Sequence, residues 1–309
     1  MINILFAAQP EQFPLYEQCL QTHLKAAGLN AKLVVGCPPH VVDYIIYAPN
    51  SSIQDLSQFT RCKAVLNLWA GVETIVGNKT LSQPLCRMVD SELQKGMTEW
   101  VTGHVLRYHL GMDKHIVNPE RIWHDAQPPL AKDRPITILG LGALGAASAR
   151  MLDHLGFPVT GWSRRPKNIT NIHCLHGDDS LRLALQEAEI LVLLLPDTPQ
   201  TLNIINSDTL SQMPSGCVII NPGRGSLIDD EALLDALLTG HVASACLDVF
   251  RTEPLPKDDA YWKMPNVTVT GHVASGTRAD SASRVIVQNI ARGEANLPFL
   301  YLVDRQAGY

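Results

Sequence analysis

Short apolar runs alternate along the chain with stretches whose apolar residues recur at helical spacing. That is the pattern of parallel strands buried on both faces and joined by helices. An opening run over residues 2–8 predicts a strand; residues 12–27 follow with Leu15, Cys19, Leu20 and Leu24 on one helical face before Gly28 ends the helix. Further strands are predicted over 32–35, 44–48, 64–68 and 85–89. Residues 97–110 read as a helix with Met97, Trp100, Val101, His104, Val105 and Tyr108 on one side. The stretch to 134 is polar, carries Pro119, Pro128 and Pro129 and loses periodicity, so it reads as an arm. A second series then begins, with strands over 136–139, 159–162, 190–195, 217–221, 243–247 and 267–270 and helices between them. Six strands joined by crossovers fit a full dinucleotide-binding sheet. A last helix over 279–291 and the following tail would cross back to the first region.

The predicted fold class is α/β, with two Rossmann-like or flavodoxin-like domains, each a doubly wound parallel sheet. The expected division is a substrate domain of 1–96 plus 280–309 and a dinucleotide domain of 97–279. At 46% hydrophobic and 18% charged residues with mean hydropathy +0.02, the chain is neither disordered nor fibrous. Lys and Arg total 25 against 30 Asp and Glu, and without a basic run there is little to attract a phosphate backbone, so no nucleic acid is expected as a main partner. No apolar stretch nears the ~18 residues of a membrane span, and residues 1–6 lack a signal peptide's cationic flank. No membrane is expected as a partner, and the expected location is cytoplasmic. The seven cysteines are scattered, without C-x-x-C, and read as reduced thiols. Cys174 and His176 lie close together but lack a second ligand pair, so no metal site is expected.

Gly140-Leu141-Gly142-Ala143-Leu144-Gly145 is a G-x-G-x-x-G that follows a predicted strand and opens a small-residue helix. In that setting the first glycine allows a tight turn, the second lets the backbone approach a pyrophosphate, and the third packs helix on strand. The end of the next strand reads Trp162-Ser163-Arg164-Arg165, with Lys167 beyond. An acidic residue there would hold the ribose hydroxyls of NAD. Serine and guanidinium groups instead suit a 2′-phosphate, so NADPH is expected over NADH; either arginine could instead be a solvated surface charge, Arg165 more readily than Arg164.

Three more segments end predicted strands: Asn221-Pro222-Gly223-Arg224-Gly225, Leu247-Asp248-Val249-Phe250-Arg251-Thr252-Glu253-Pro254, and Thr270-Gly271-His272-Val273-Ala274. Each of Arg224, Glu253 and His272 has an ordinary structural explanation when taken alone. In an open α/β sheet, however, strand carboxyl ends are where ligands bind, which places all three beside a bound dinucleotide.

On these motifs the chain resembles the D-isomer-specific 2-hydroxyacid dehydrogenases, and among them the bacterial A-type glyoxylate/hydroxypyruvate reductases. Leu68-Trp69-Ala70-Gly71-Val72-Glu73, Leu195-Pro196-Asp197-Thr198-Pro199 and the closing Val303-Asp304-Arg305-Gln306-Ala307-Gly308-Tyr309 extend the likeness over essentially the whole chain. The resemblance implies that Arg224 binds substrate, that Glu253 partners the histidine, and that His272 is the acid/base. The chemistry it implies agrees: reduction of a 2-keto acid builds negative charge on the carbonyl oxygen, for which His272 can supply the proton, Glu253 can fix its tautomer, and Arg224 can grip carboxylate and carbonyl oxygens together. The backbone of Ala70, Gly71 and Val72 would hold the substrate carboxylate beside Trp69. Asp248 and Gly223 would hold the carboxamide, Leu195 and Pro196 would border the cofactor, and Met97 and Pro222 would complete its site. Trp69 and Tyr47 could each border the pocket or be core aromatics.

It also implies NADPH-dependent reduction of glyoxylate to glycolate and hydroxypyruvate to D-glycerate, and a homodimer formed through the helix and arm of 97–134. Gly223 and Gly271 replace the family's usual Ala and Pro, loosening the backbone beside reacting residues. The rival readings are a dehydrogenase of a larger 2-keto acid, a formate dehydrogenase, which Glu253 disfavours because those enzymes place Gln there, a non-enzymatic dinucleotide-sensing regulator, and an oligomeric scaffold that binds NADP(H) without catalysis.

Overall fold

The computed structural model describes residues 1–309 and divides into two compact units, one of residues 1–93 and 277–309, the other of residues 94–276. In the first, strands β1 (Ile2–Ala7), β2 (Ala31–Val34), β3 (Tyr44–Tyr47), β4 (Ala64–Asn67) and β5 (Leu85–Cys86) form a parallel sheet in the order β2-β1-β3-β4-β5. Every residue of β3 and β4 is buried, as a strand covered on both faces requires. One face packs Ile4, Phe6, Tyr44 and Ile46 against Leu20 and Leu24 of helix Phe13–Ala26 and Ile286 and Ile290 of helix Ala279–Glu294. The opposite face packs Ile45, Tyr47 and Val65 against Leu56, Phe59 and Leu81. Tyr47 is thus a core aromatic. Leu15, predicted on the buried face of its helix, is exposed, because Tyr16, Leu20 and Leu24 make the i, i+4, i+8 stripe.

The second unit is a seven-stranded parallel sheet. Its strands are β6 (Ile136–Leu139), β7 (Val159–Ser163), β8 (His173–His176), β9 (Ile190–Leu193), β10 (Cys217–Asn221), β11 (Val242–Leu247) and β12 (Val267–Val269), in the order β12-β11-β10-β9-β6-β7-β8. The order reverses between β6 and β9, which is where such a sheet opens a crevice at its carboxyl edge. Six strands are predicted from the sequence; β8 is the seventh. It pairs only with β7, at the sheet edge, and its partly exposed His-Cys-Leu-His lacks the apolar run of an interior strand.

Helix Ser91–His109 starts six residues before the predicted 97. Asp90 caps it, its Oδ1 accepting from the N–H groups of Glu92 (2.9 Å) and Leu93 (3.0 Å). Val101 and Val105 of this helix pack on Ile136, Ile138 and Ile190. All seven cysteines are free thiols, and burial pushes Cys62, Cys86 and Cys246 up to about 12. No helix is long and apolar enough to cross a membrane.

Candidate active site

The glycine loop joins β6, buried at every residue, to helix Ala143–His154. Gly140 has φ +109°, and a Cβ there would lie 2.4 Å from the Leu194 carbonyl oxygen; a Cβ on Gly145 would fall 1.8 Å from the Gly140 oxygen. Both glycines are therefore demanded by the protein's own packing. Gly142 differs: a Cβ on it would meet nothing within 4 Å. It is the N-cap of the helix, which has no side-chain cap, so the first-turn amides and the positive dipole end face an opening that only glycine leaves fully clear. Ala143 and Leu144 supply the first-turn backbone. This geometry fits a dinucleotide pyrophosphate.

At the end of β7 the Trp162 ring turns inward. It is buried, and its indole N–H donates to the Gly177 carbonyl at 2.9 Å. Only its backbone is left for the predicted cofactor role. The Ser163 hydroxyl donates to the Arg165 carbonyl at 2.9 Å, which shapes the turn after the strand. Arg164 and Arg165 are exposed beyond that turn. Met97 is buried in the core beneath this sheet, and Leu195 is buried against the opposite core cluster, with Pro196 half-buried after it.

Strands β10, β11 and β12 are neighbours, and their carboxyl ends carry Arg224, Glu253 and His272. Asn221, the last residue of β10, is buried and brackets the next turn: its Oδ1 accepts from the Gly223 N–H (3.0 Å) and its Nδ2 donates to the Arg224 carbonyl (2.9 Å). Pro222 and Gly223 are buried within the turn. The Arg224 Nη1 donates to the Gly223 carbonyl at 2.7 Å, which orients the guanidinium. A Cβ at 223 would come within 2.8 Å of the Leu193 oxygen, so this glycine is held in a tight turn and does not loosen it.

His272 Nδ1 and Glu253 Oε2 are 2.8 Å apart, and Glu253 Oε1 accepts from the Phe250 N–H at 2.9 Å. Both side chains are substantially exposed, at 50% and 35%, so the pair contributes orientation more than stability. With Nδ1 engaged, Nε2 is the ring nitrogen left for proton transfer. His272 sits at φ +56°, a left-handed backbone that a non-glycine residue adopts only when its surroundings impose it.

Asp248 imposes it. Its carbonyl accepts from the His272 N–H (2.7 Å), its Oδ1 from Thr270 Oγ1 (2.6 Å) and the Val273 N–H (2.9 Å), and its Oδ2 from the Ala274 N–H (2.8 Å). Asp248 is buried, and its carboxylate holds the histidine loop. Sequence reasoning also passed over Arg251. Its Nε donates to Asp230 Oδ2 at 3.0 Å and its Nη2 to Asn203 Oδ1 and the Ile228 carbonyl, tying the Glu253 loop to the segment that follows Arg224.

The first unit carries Trp69, Ala70, Gly71 and Val72 after β4. Trp69 is 39% exposed, while Val72 is buried and precedes the short helix Glu73–Val76. Asn67, buried at the end of β4, donates its Nδ2 to the carbonyls of Trp69 (2.8 Å) and Gly71 (2.9 Å).

Comparison with known proteins fits this arrangement. Residues 105–274 match the family model described as D-isomer specific 2-hydroxyacid dehydrogenase, NAD binding domain. The chain belongs to the D-isomer-specific 2-hydroxyacid dehydrogenase family. Among its relatives in that family, glyoxylate/hydroxypyruvate reductase A of Yersinia enterocolitica is 37% identical over 100% of both chains. A 2-hydroxyacid dehydrogenase of Xanthobacter autotrophicus, solved with NADPH and MES, superposes with a TM-score of 0.94 at 35% identity over 99% of each chain. The NADPH-dependent glyoxylate/hydroxypyruvate reductase of Sinorhizobium meliloti, solved with NADP and sulfate, gives 0.86 at 30% identity over 100% of each.

Proposed function

We propose that this enzyme reduces small 2-keto acids with NADPH, converting glyoxylate to glycolate and hydroxypyruvate to D-glycerate. The observation that carries this reading is the Glu253–His272 pair at 2.8 Å, on a loop pinned by Asp248, at the same sheet edge as Arg224 and the glycine loop. The names of the Yersinia and Sinorhizobium relatives support the substrate choice.

The glycine-loop amides would hold the pyrophosphate, and Arg164, with Arg165, would take the 2′-phosphate. When bound, the reduced dinucleotide supplies the hydride that the substrate carbon receives. Arg224 grips the carboxylate and carbonyl oxygens of the keto acid and so orients the carbon. Backbone amides of residues 70–72 hold the carboxylate. As negative charge grows on the carbonyl oxygen, His272 Nε2 gives it a proton while Glu253 keeps Nδ1 protonated and the ring in position.

His272→Ala is expected to lower kcat for glyoxylate by about 100- to 10,000-fold while the Kd for NADPH, read by nucleotide fluorescence, holds. Near wild-type kcat would assign the proton to another residue.

We further propose a homodimer formed through residues 97–134. Trp123 is 90% exposed, and Ile116, Val117 and Leu130 of the same arm are 69%, 73% and 66% exposed, a concentration of apolar surface suited to a second copy. Sedimentation should give a dimer, and Trp123→Glu should shift it toward monomer. The free thiols suit a reducing compartment, and we place the enzyme in the cytoplasm.

A further inference from the structure

We propose that Asn67 is the positioning residue that turns the loop after β4 into a carboxylate receptor. This rests on the reading above, in which the amides of residues 70–72 meet the substrate carboxylate. The loop follows a strand whose four residues are all buried, and Asn67 itself is 1% exposed.

One amide nitrogen grips two carbonyls, those of Trp69 at 2.8 Å and Gly71 at 2.9 Å; the Trp69 carbonyl also accepts from the Met88 N–H at 3.0 Å. A trans peptide points its N–H opposite to its C=O. Drawing the carbonyls of 69 and 71 onto Asn67 therefore turns the N–H groups of Ala70 and Val72 away from it. No hydrogen bond inside the fold takes up the amides of Ala70, Gly71 or Val72. The loop thus presents backbone donors without any cation of its own, as a small anion site does.

The other end of the side chain supports the assignment. Asn67 Oδ1 is buried and has no hydrogen-bond partner. A residue kept only for packing would not retain an unsatisfied acceptor, whereas a donor required by two carbonyls would.

Asn67→Asp keeps the shape and removes both donations. Assayed with NADPH, it should raise KM for glyoxylate on the order of 10- to 100-fold with kcat within about twofold. The Kd for NADPH should not change. Glycolaldehyde, which has the carbonyl but no carboxylate, should be reduced with the same kcat/KM by both proteins. Asn67→Ser retains one donor and should give an intermediate KM; it also serves if the Asp variant does not fold. A glyoxylate KM within about twofold of wild type, or equal losses on glyoxylate and glycolaldehyde, would overturn the proposal. The underlying reading is checked separately by adding oxalate to 15N-labelled wild-type enzyme. Shifted amide resonances for Ala70 and Val72 support it, and unmoved ones remove the carboxylate role itself.

Discussion

Two loops in this molecule present backbone amides, and they are made by opposite means. After β6 the amides belong to the first turn of a twelve-residue helix, Ala143–His154, and the loop depends on what is missing, since Gly140 and Gly145 leave no room for a Cβ. After β4 the loop depends on what is present, one buried asparagine whose single nitrogen holds two carbonyls. The first sits at the point where its strand order reverses, between β6 and β9, where the fold itself opens a crevice. The second follows β4, which lies between β3 and β5, one strand away from the reversal in its own sheet. At the first, where topology supplies the opening, small residues suffice; at the second, a side chain sets the course of the loop.

The most damaging test of that contrast is Gly145→Ala. Its Cβ would collide with the Gly140 oxygen, and overpacking of this kind costs about 3 kcal/mol. In a thermal melt that is a loss of roughly 6–12 °C in Tm. Next comes Arg164→Glu. If backbone alone makes the glycine loop, cofactor choice must lie in side chains beyond it, and this exchange should lower the NADPH:NADH ratio of kcat/KM by about 10- to 100-fold. An unchanged ratio would move selectivity elsewhere on the loop. Gly142→Ala should be milder: with nothing within 4 Å to meet the new methyl, Tm should hold, while the Kd for NADPH rises about tenfold, or about 1.4 kcal/mol.

The smallest effect concerns acid. Burial, aided by Arg107 and Arg134 respectively, holds His104 and His109 below the ordinary value of 6.5, and both lie on the helix that backs the second sheet. As pH falls below 6.5 the unfolded chain takes up protons that the native state refuses. Their contribution is therefore whole above 6.5 and is lost as pH descends toward the folded-state values. Tm should fall by a few degrees over that window. Hydrogen exchange should show β6 opening before β4, and His109→Phe should flatten the slope.

The glycine loop was legible because its requirement falls on residue type at fixed spacing, and Arg224, Glu253 and His272 because each ends a readable strand. The rest depended on direction and partner. Nothing in Leu-Trp-Ala-Gly-Val reports that Asn67 reaches two carbonyls, nor does Trp162 declare in the sequence that its ring turns into the core. Edge strand β8 escaped because half-exposed His and Cys do not make an apolar run. The early start of helix Ser91–His109 did have a signal, the Asp90-Ser91-Glu92 cap, which the weaker periodicity before Met97 obscured.

His272 holds a backbone geometry that glycine would adopt freely, kept there by the bonds from Asp248. Strain of this kind costs on the order of 1 kcal/mol, about what glycine's greater freedom in the unfolded chain would take back, so His272→Gly should leave Tm nearly unchanged while removing the donor proposed above. On that proposal the stability of the fold is indifferent to the imidazole, and the demand for turnover alone would keep it in place.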